Sequence, residues 1–185
     1  MIELAASANP SEITTAAIAK HMQLTQGAIF RHFPNKDAIW KAVMNWVSKT
    51  LMARVERATH EAGSPLAALQ AIFLTHIDFV TKHPGAPRLL FGESQANRAP
   101  PAKQMAQTLM THYAAHLRNL IELGKASGEL RPDLDTEAAV LSFVGSIQGL
   151  VMQTLISGDL EQTRQNAPRV FSVFRMGIEQ VSKNT

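Results

Sequence analysis

The 185-residue chain contains no cysteine, one tyrosine and only 6% aromatic residues. Without cysteine there are no disulfides, no thiolate nucleophile and no thiolate-ligated metal, which is compatible with a cytoplasmic protein. No apolar run is expected to span a bilayer. No charged-then-apolar leader with a small-residue cleavage site opens the chain, so neither a membrane nor a secreted protein is expected. Also missing are a glycine-rich phosphate loop, a nucleophile elbow and a HExxH zinc-protease pattern. The chain is therefore not expected to be an enzyme or to hold a cofactor. No stretch shows sustained two-residue alternation, and there are no internal repeats or low-complexity segments. The expectation is an all-α protein.

What is present is unevenly distributed. The net charge is +3. Residues 1–60 hold Lys20, Arg31, Lys36, Lys41, Lys49, Arg54 and Arg57 against Glu3, Glu12, Asp37 and Glu56, so the whole excess lies in the first third. Phosphate attraction would need positive charge in one place. Met1 to Ala8 reads as a reduced first helix, broken at Asn9-Pro10-Ser11. Within 14–40 the pattern gives two short helices, a tight turn at Gln23-Leu24 and the start of a third. Thr14 or Thr15 caps the first, with Ile18, Ala19 and Met22 as its apolar side. Thr25 caps the second, Gly27 and Ala28 keep its start thin, and Ile29 and Phe33 pack it back. Pro34-Asn35 ends it. The layout is a helix-turn-helix whose second helix can enter a major groove. Gln26, Ala28, Phe30 and Arg31 are the candidate base contacts, since Gln suits adenine, Arg suits guanine, and Ala or Phe suits a thymine methyl. Thr14, Thr15, Thr25, His32 and Lys36 are candidates for phosphate, helped by the helix starts at Thr25 and Lys36.

Thr14-Thr15, Ile18-Ala19, Leu24-Thr25, Gly27-Ala28-Ile29-Phe30, His32-Phe33 and Lys36-Asp37 resemble the N-terminal DNA-binding domain of the tetracycline-repressor (TetR) family of transcriptional regulators. The resemblance covers the first quarter of the chain; the rest shares the family's helix layout. The family usually carries tyrosine where this chain has Phe30, so a phosphate-reaching hydroxyl is absent there. It also usually has a longer first helix preceded by a polar arm. The resemblance implies a repressor that binds near-palindromic double-stranded operator DNA as a homodimer and is released by a small-molecule effector. The competing expectation is a helical ligand-binding or protein-interaction dimer with impaired DNA binding.

A long helix over 36–61 leads to Gly63-Ser64-Pro65, where a boundary divides a DNA-binding domain, 1–62, from an effector-binding and dimerisation domain, 63–185. Further helices are expected over 65–83, 87–94, 101–126, 135–157 and 166–181. Phe73, His76, Phe79, Phe91, Met105, Leu109, His112, Tyr113, Gln148 and Met152 are the candidate lining of an apolar effector pocket with a few polar groups. His112, His116 and His76, with Glu93 or Asp78, invite a metal reading, but nothing in their spacing demands one and no metal site is expected. The penultimate helix is apolar around more than one stripe, and Gly145 and Gly149 each cost up to ~1 kcal/mol relative to alanine inside a helix. Val140, Val144, Gly145, Ile147, Gly149 and Val151, with Val170, Phe174, Gly177, Ile178 and Val181 on the last helix, are the expected dimer interface. It would be a two-fold four-helix bundle built from two helices of each subunit. The alternative is burial of these residues wholly within one subunit.

Overall fold

In the computed structural model, residues 1–95 and 100–180 are described, with side chains for all of these except 11 and 91–103. The side chains of Phe91 and Glu93, and the whole of Val181, therefore lie outside what is described. The described residues are helical, and the only pairing of extended backbone among them is an isolated antiparallel bridge between Leu130 and Glu179. The helices are α1 (Ile2–Ala5), α2 (Thr15–His21), α3 (Gln26–His32), α4 (Lys36–Glu61), α5 (Pro65–Lys82), α6 (Gly85–Gln95), α7 (Pro100–Ser127), α8 (Thr136–Ser157) and α9 (Leu160–Ile178). A 3-10 turn over Pro10–Glu12 follows α1.

Local chemistry sets most of the boundaries. The Thr14, Thr25 and Asp135 side chains accept the backbone N–H groups of Ala17, Ala28 and Ala138, and so start α2, α3 and α8. Asn35 also acts as a cap, accepting the Ala38 N–H at 2.9 Å; it opens α4 as well as closing the preceding turn. Gly158, at φ 76°, supplies the left-handed residue that ends α8. Helix α9 begins six residues before the expected start at 166. Asp159 caps it through the Gln162 N–H at 2.8 Å, and Pro168 lies inside the helix instead of in its first turn. Thr163, Ala167 and Phe171, in the turns on either side of it, are buried.

The fold divides into two units. The first joins Met1–Thr50 to Lys82–Met110, and the second joins Leu51–Thr81 to the chain from Thr111 onward. In the first, Ala5, Ile13, Ile18, Ala19, Ile29, Ile39, Trp40 and Leu89 form one buried cluster, flanked by Ile2, Leu4, Phe33 and Val43. Met22, expected on the inner side of α2, is 55% exposed; as the C-cap residue it has left the helical phase. The Trp40 indole N–H is buried without a hydrogen-bond partner. The partly exposed Trp46 meets His83 edge-on, with ring centroids 5.1 Å apart. Gly85 opens α6 against α1. A Cβ built there would lie 1.8 Å from the Ile2 carbonyl oxygen and 2.9 Å from the Ala6 nitrogen, both backbone atoms that cannot swing aside.

The second unit is built on an aromatic cluster. Phe73 meets Phe143 edge-on at 5.3 Å and Phe171 at 5.5 Å, and Phe174 completes the group at 5.5 Å from Phe143. Glu129, in the α7–α8 loop, reaches the start of α5, where its carboxylate accepts the Leu66 N–H and the Ser64 hydroxyl. The Thr154 and Thr163 hydroxyls satisfy one another in the interior between α8 and α9. One expectation is overturned: α8 is long and apolar enough, by length and composition, to cross a membrane. Its apolarity has a different explanation, because the helix carries two apolar faces. Val140, Phe143, Ile147, Leu150 and Val151 are buried, whereas Leu141, Met152 and Ile156 face outward.

The tight contact at Gly85 gives a direct test of the first unit. Gly85→Ala should force α1 away from α6 and lower stability by about 1–3 kcal/mol, the usual range for overpacking. Urea unfolding followed by circular dichroism measures the change.

Candidate functional site

The reading surface begins with two seven-residue helices. A helix of that length is unstable alone, so α2 and α3 persist through their caps and through Ile18, Ala19 and Ile29 in the cluster below. Between them Gln23 adopts φ 56°, a left-handed conformation that lets the chain reverse within three residues, and the Leu24 N–H donates back to the Ala19 carbonyl at 2.9 Å. With Ile29 inward, Gln26, Phe30, Arg31 and His32 are exposed along the opposite side of α3, and Ala28 is half-buried. Phe30 is 44% exposed, unusual for so large an apolar ring. Gly27 meets nothing within 4 Å of a built Cβ, so the thin start of α3 is open to solvent and not pressed against protein.

The polar groups of this surface are partly organised already. Thr14 and Thr25 are caps, each retaining a hydroxyl proton to donate elsewhere. The Gln26 side-chain amide donates to Thr15 Oγ1 at 2.8 Å, across the turn from α3 to α2. No signal in the sequence pairs residues eleven apart in this way. Lys36 is half-buried at the first turn of α4. At the surface nearby, His21 and Glu3 are 2.7 Å apart, and the histidine beside it holds the Glu3 carboxyl below its usual range.

In the second unit the candidate pocket residues separate. Phe73, Phe79 and Tyr113 are buried, and the His76 Nδ1 and Tyr113 hydroxyl hydrogen-bond at 3.0 Å. Burial alone lowers the His76 pKa to about 4 and raises that of Tyr113, so both are neutral near pH 7. His116, partly buried, bonds to Thr59 Oγ1 at 2.8 Å, and burial lowers its pKa as well. His112, Gln148 and Met152 do not join the interior: each is exposed, because each lies about a third of a helical turn from a buried neighbour, Tyr113, Ile147 or Val151. Met105 is half-buried and Leu109 is buried, but both belong to the first unit. Among the described residues no group of three or more His, Asp or Glu side chains is placed to hold a metal ion.

The candidate dimer residues separate in the same manner. Val140, Ile147, Val151, Phe174 and Ile178 are buried within the subunit and are unavailable at its surface. Val144 and Val170 are half-buried, and Gly145, Gly149 and Gly177 are exposed with nothing within 4 Å of a built Cβ. The outward apolar face consists instead of Leu141 (74% exposed), Met152 and Ile156 (81%) on α8, with Val173 and Met176 on α9. An open groove of about 490 Å³ runs beside it, lined by Ala138, Ser142, Val170, Val173 and Gly177 among others. The spacing 141, 145, 149, 152, 156 is itself helical, so the sequence carries a second stripe of apolar and small residues beside the one through Val140, Val144, Ile147 and Val151.

Comparison with known proteins gives this arrangement a class. Residues 2–43 match the family described as bacterial regulatory proteins, tetR family, and residues 65–169 match the tetracyclin repressor-like C-terminal domain. The protein is a DNA-binding transcriptional regulator with an N-terminal helix-turn-helix and a C-terminal helical domain. It belongs to the TetR family. The nucleoid occlusion factor SlmA of Marinomonas sp. (strain MWYL1) is 22% identical over 151 residues, covering 82% of this chain and 77% of that protein. The ketosteroid transcriptional regulator KstR2 of Mycobacterium tuberculosis has the same fold, with a TM-score of 0.81 at 20% identity over 97% of this chain and 93% of that one. The regulator FadR from Bacillus subtilis, solved in complex with stearoyl-CoA, gives 0.82 at 18% identity over 96% and 95%.

The buried histidine makes stability depend on pH in a stated direction. The unfolded imidazole titrates near 6.5, whereas the folded one does so at about 4. Between those values the unfolded chain binds a proton that the folded chain does not. Stability is therefore full above about pH 6.5 and declines as the pH falls towards about 4, with His76 contributing on the order of 1–3 kcal/mol. Urea titrations at pH 7 and pH 4.5 should show the loss. His76→Gln should shrink the difference without removing it, because His116 acts in the same direction.

Proposed function

We propose that the protein is a homodimeric repressor that binds near-palindromic operator DNA in the cytoplasm and leaves it when a small, mainly apolar effector binds the second unit. The observation that carries the DNA-binding half is the exposed row Gln26, Phe30, Arg31 and His32 on a capped α3 whose other side is locked into the core. Arg31 and Gln26 supply base-edge hydrogen bonds. Thr14, Thr25, His32 and Lys36 supply phosphate contacts, and the surplus positive charge of the first 60 residues supports attraction to the duplex.

The outward face of α8 and α9 supports the dimer. An apolar surface of this kind on a single chain is normally an interaction site. Among the described residues nothing packs against Gly145 or Gly149, so their cost is explained by close approach of a second copy. Two reading helices would then lie about 34–36 Å apart and address successive major grooves. For the effector, the enclosed His76–Tyr113 pair provides one polar anchor in an otherwise apolar interior. The ketosteroid regulator and the stearoyl-CoA complex among the structural relatives favour a sterol-like or acyl ligand. Such a ligand acts by binding the DNA-incompetent form more tightly than the competent one.

A second reading follows from the relatives named nucleoid occlusion factors. Mapping bound sites across the chromosome separates the two: sites clustered upstream of a few genes favour a repressor, and widely dispersed sites favour nucleoid occlusion.

Two variant sets test the main reading. Arg31→Ala should flatten sequence preference, whereas Lys36→Ala should weaken binding to all duplexes alike and reduce the salt slope by about one. Unchanged binding in both variants would remove the DNA-binding assignment. Leu141→Glu with Ile156→Glu should convert the protein to monomers in sedimentation, with operator affinity falling at least tenfold, on the order of losing one of two coupled half-sites. A double variant that remains dimeric would place the interface elsewhere.

A further inference from the structure

The Gln26–Thr15 hydrogen bond carries an inference about which base the protein prefers, and it rests on the reading of α3 as the DNA-recognition helix. A glutamine side chain has two N–H donors and one carbonyl acceptor. When it is free to rotate, it presents either a donor with an acceptor, or two donors, to a base edge. In this protein one N–H is already donated to Thr15 Oγ1 at 2.8 Å. What remains is one donor and one acceptor, held in one orientation by a half-buried threonine at the first turn of α2.

Adenine alone satisfies that remaining pair in the major groove, because it offers the N7 acceptor and the N6 donor side by side. Guanine offers two acceptors, N7 and O6, so the fixed Gln26 carbonyl would face an oxygen. Cytosine and thymine each offer a single polar group at that edge. We propose that Thr15 is a positioning residue that fixes the Gln26 carboxamide so that α3 prefers adenine over guanine at one base pair of each half-site. Thr15 touches no base itself. Its hydroxyl proton stays available for a phosphate, so a phosphate role and the positioning role are separable by experiment. Removing the Thr15 oxygen frees the second N–H, which then serves guanine as well. The loss therefore falls on discrimination between two purines, not on affinity in general.

The test uses the full-length protein and duplexes it selects from a random pool, with each A·T pair then changed to G·C in turn. Wild type should disfavour the G·C change at one position per half-site, and Gln26→Ala should erase that penalty. Thr15→Val, shown to be folded by circular dichroism and thermal melting, should narrow the adenine-over-guanine ratio at that position by about threefold to tenfold, the worth of one positioning hydrogen bond. Thr15→Ser, which keeps the acceptor oxygen, should restore the ratio. If Thr15→Val weakens every duplex by one common factor and leaves the ratio intact, Thr15 is a phosphate contact only and the inference is wrong. It is equally wrong if wild type binds selectively yet Gln26→Ala changes no purine preference. Absence of any sequence-selective binding by wild type would instead overturn the DNA-binding reading itself.

Discussion

Two helices of seven residues cannot stand on their own, and the reading surface exists only because one side of each is anchored. Ile18, Ala19 and Ile29 enter a cluster that also receives Ala5 from α1 and Leu89 from α6. Nucleating a short helix costs more than its few hydrogen bonds return. Tertiary burial makes up the difference, and the Thr14, Thr25 and Asn35 caps satisfy groups that would otherwise be left open at the helix starts. The exposed side of α3 is thus spared the work of stability, which the opposite side and the caps bear. The chain can afford an exposed phenylalanine in the middle of α3 for the same reason.

Helix α8 obeys a second constraint. It has apolar residues on two faces, and among the described residues only the inner face is buried, against the aromatic cluster of Phe73, Phe143, Phe171 and Phe174. The helix as a whole is long and apolar enough to cross a membrane, and its two apolar faces account for that composition. The glycines at 145 and 149 flatten the outer face, and a flat apolar helix suits another helix better than it suits solvent.

Much of this was legible from residue types and spacing, because caps and turns are local events. Thr25 before Gln26, Asp135 before Thr136 and Gly158 after Ser157 each fixed a boundary by the chemistry of a single residue. The start of α9 was not legible in the same way. Pro168 resembles a first-turn proline, and only the Asp159 cap shows that the helix is already two turns old. The outer face of α8 is not legible from phase: a helix apolar on two sides offers two stripes, and periodicity alone does not say which one turns inward. The contact of Gly85 with α1 and the bond from Gln26 to Thr15 join residues that are brought together only by the fold. The TetR-like signature near the N-terminus was readable because it is compact, whereas an effector site assembled from distant helices has no comparable local spelling.

The two tryptophans of the chain both belong to the first unit, and their surroundings differ sharply. Trp40 is enclosed with its indole N–H unsatisfied, while Trp46 is partly exposed with an imidazole against its ring edge. Tryptophan fluorescence, excited beyond the absorption of Tyr113, is therefore a private channel to the first unit. Admission of water to the interior beneath α3 would shift the Trp40 emission to the red, and movement of the His83 ring off its edge would change that of Trp46. A single cuvette thus distinguishes loosening of that interior from a change at its rim.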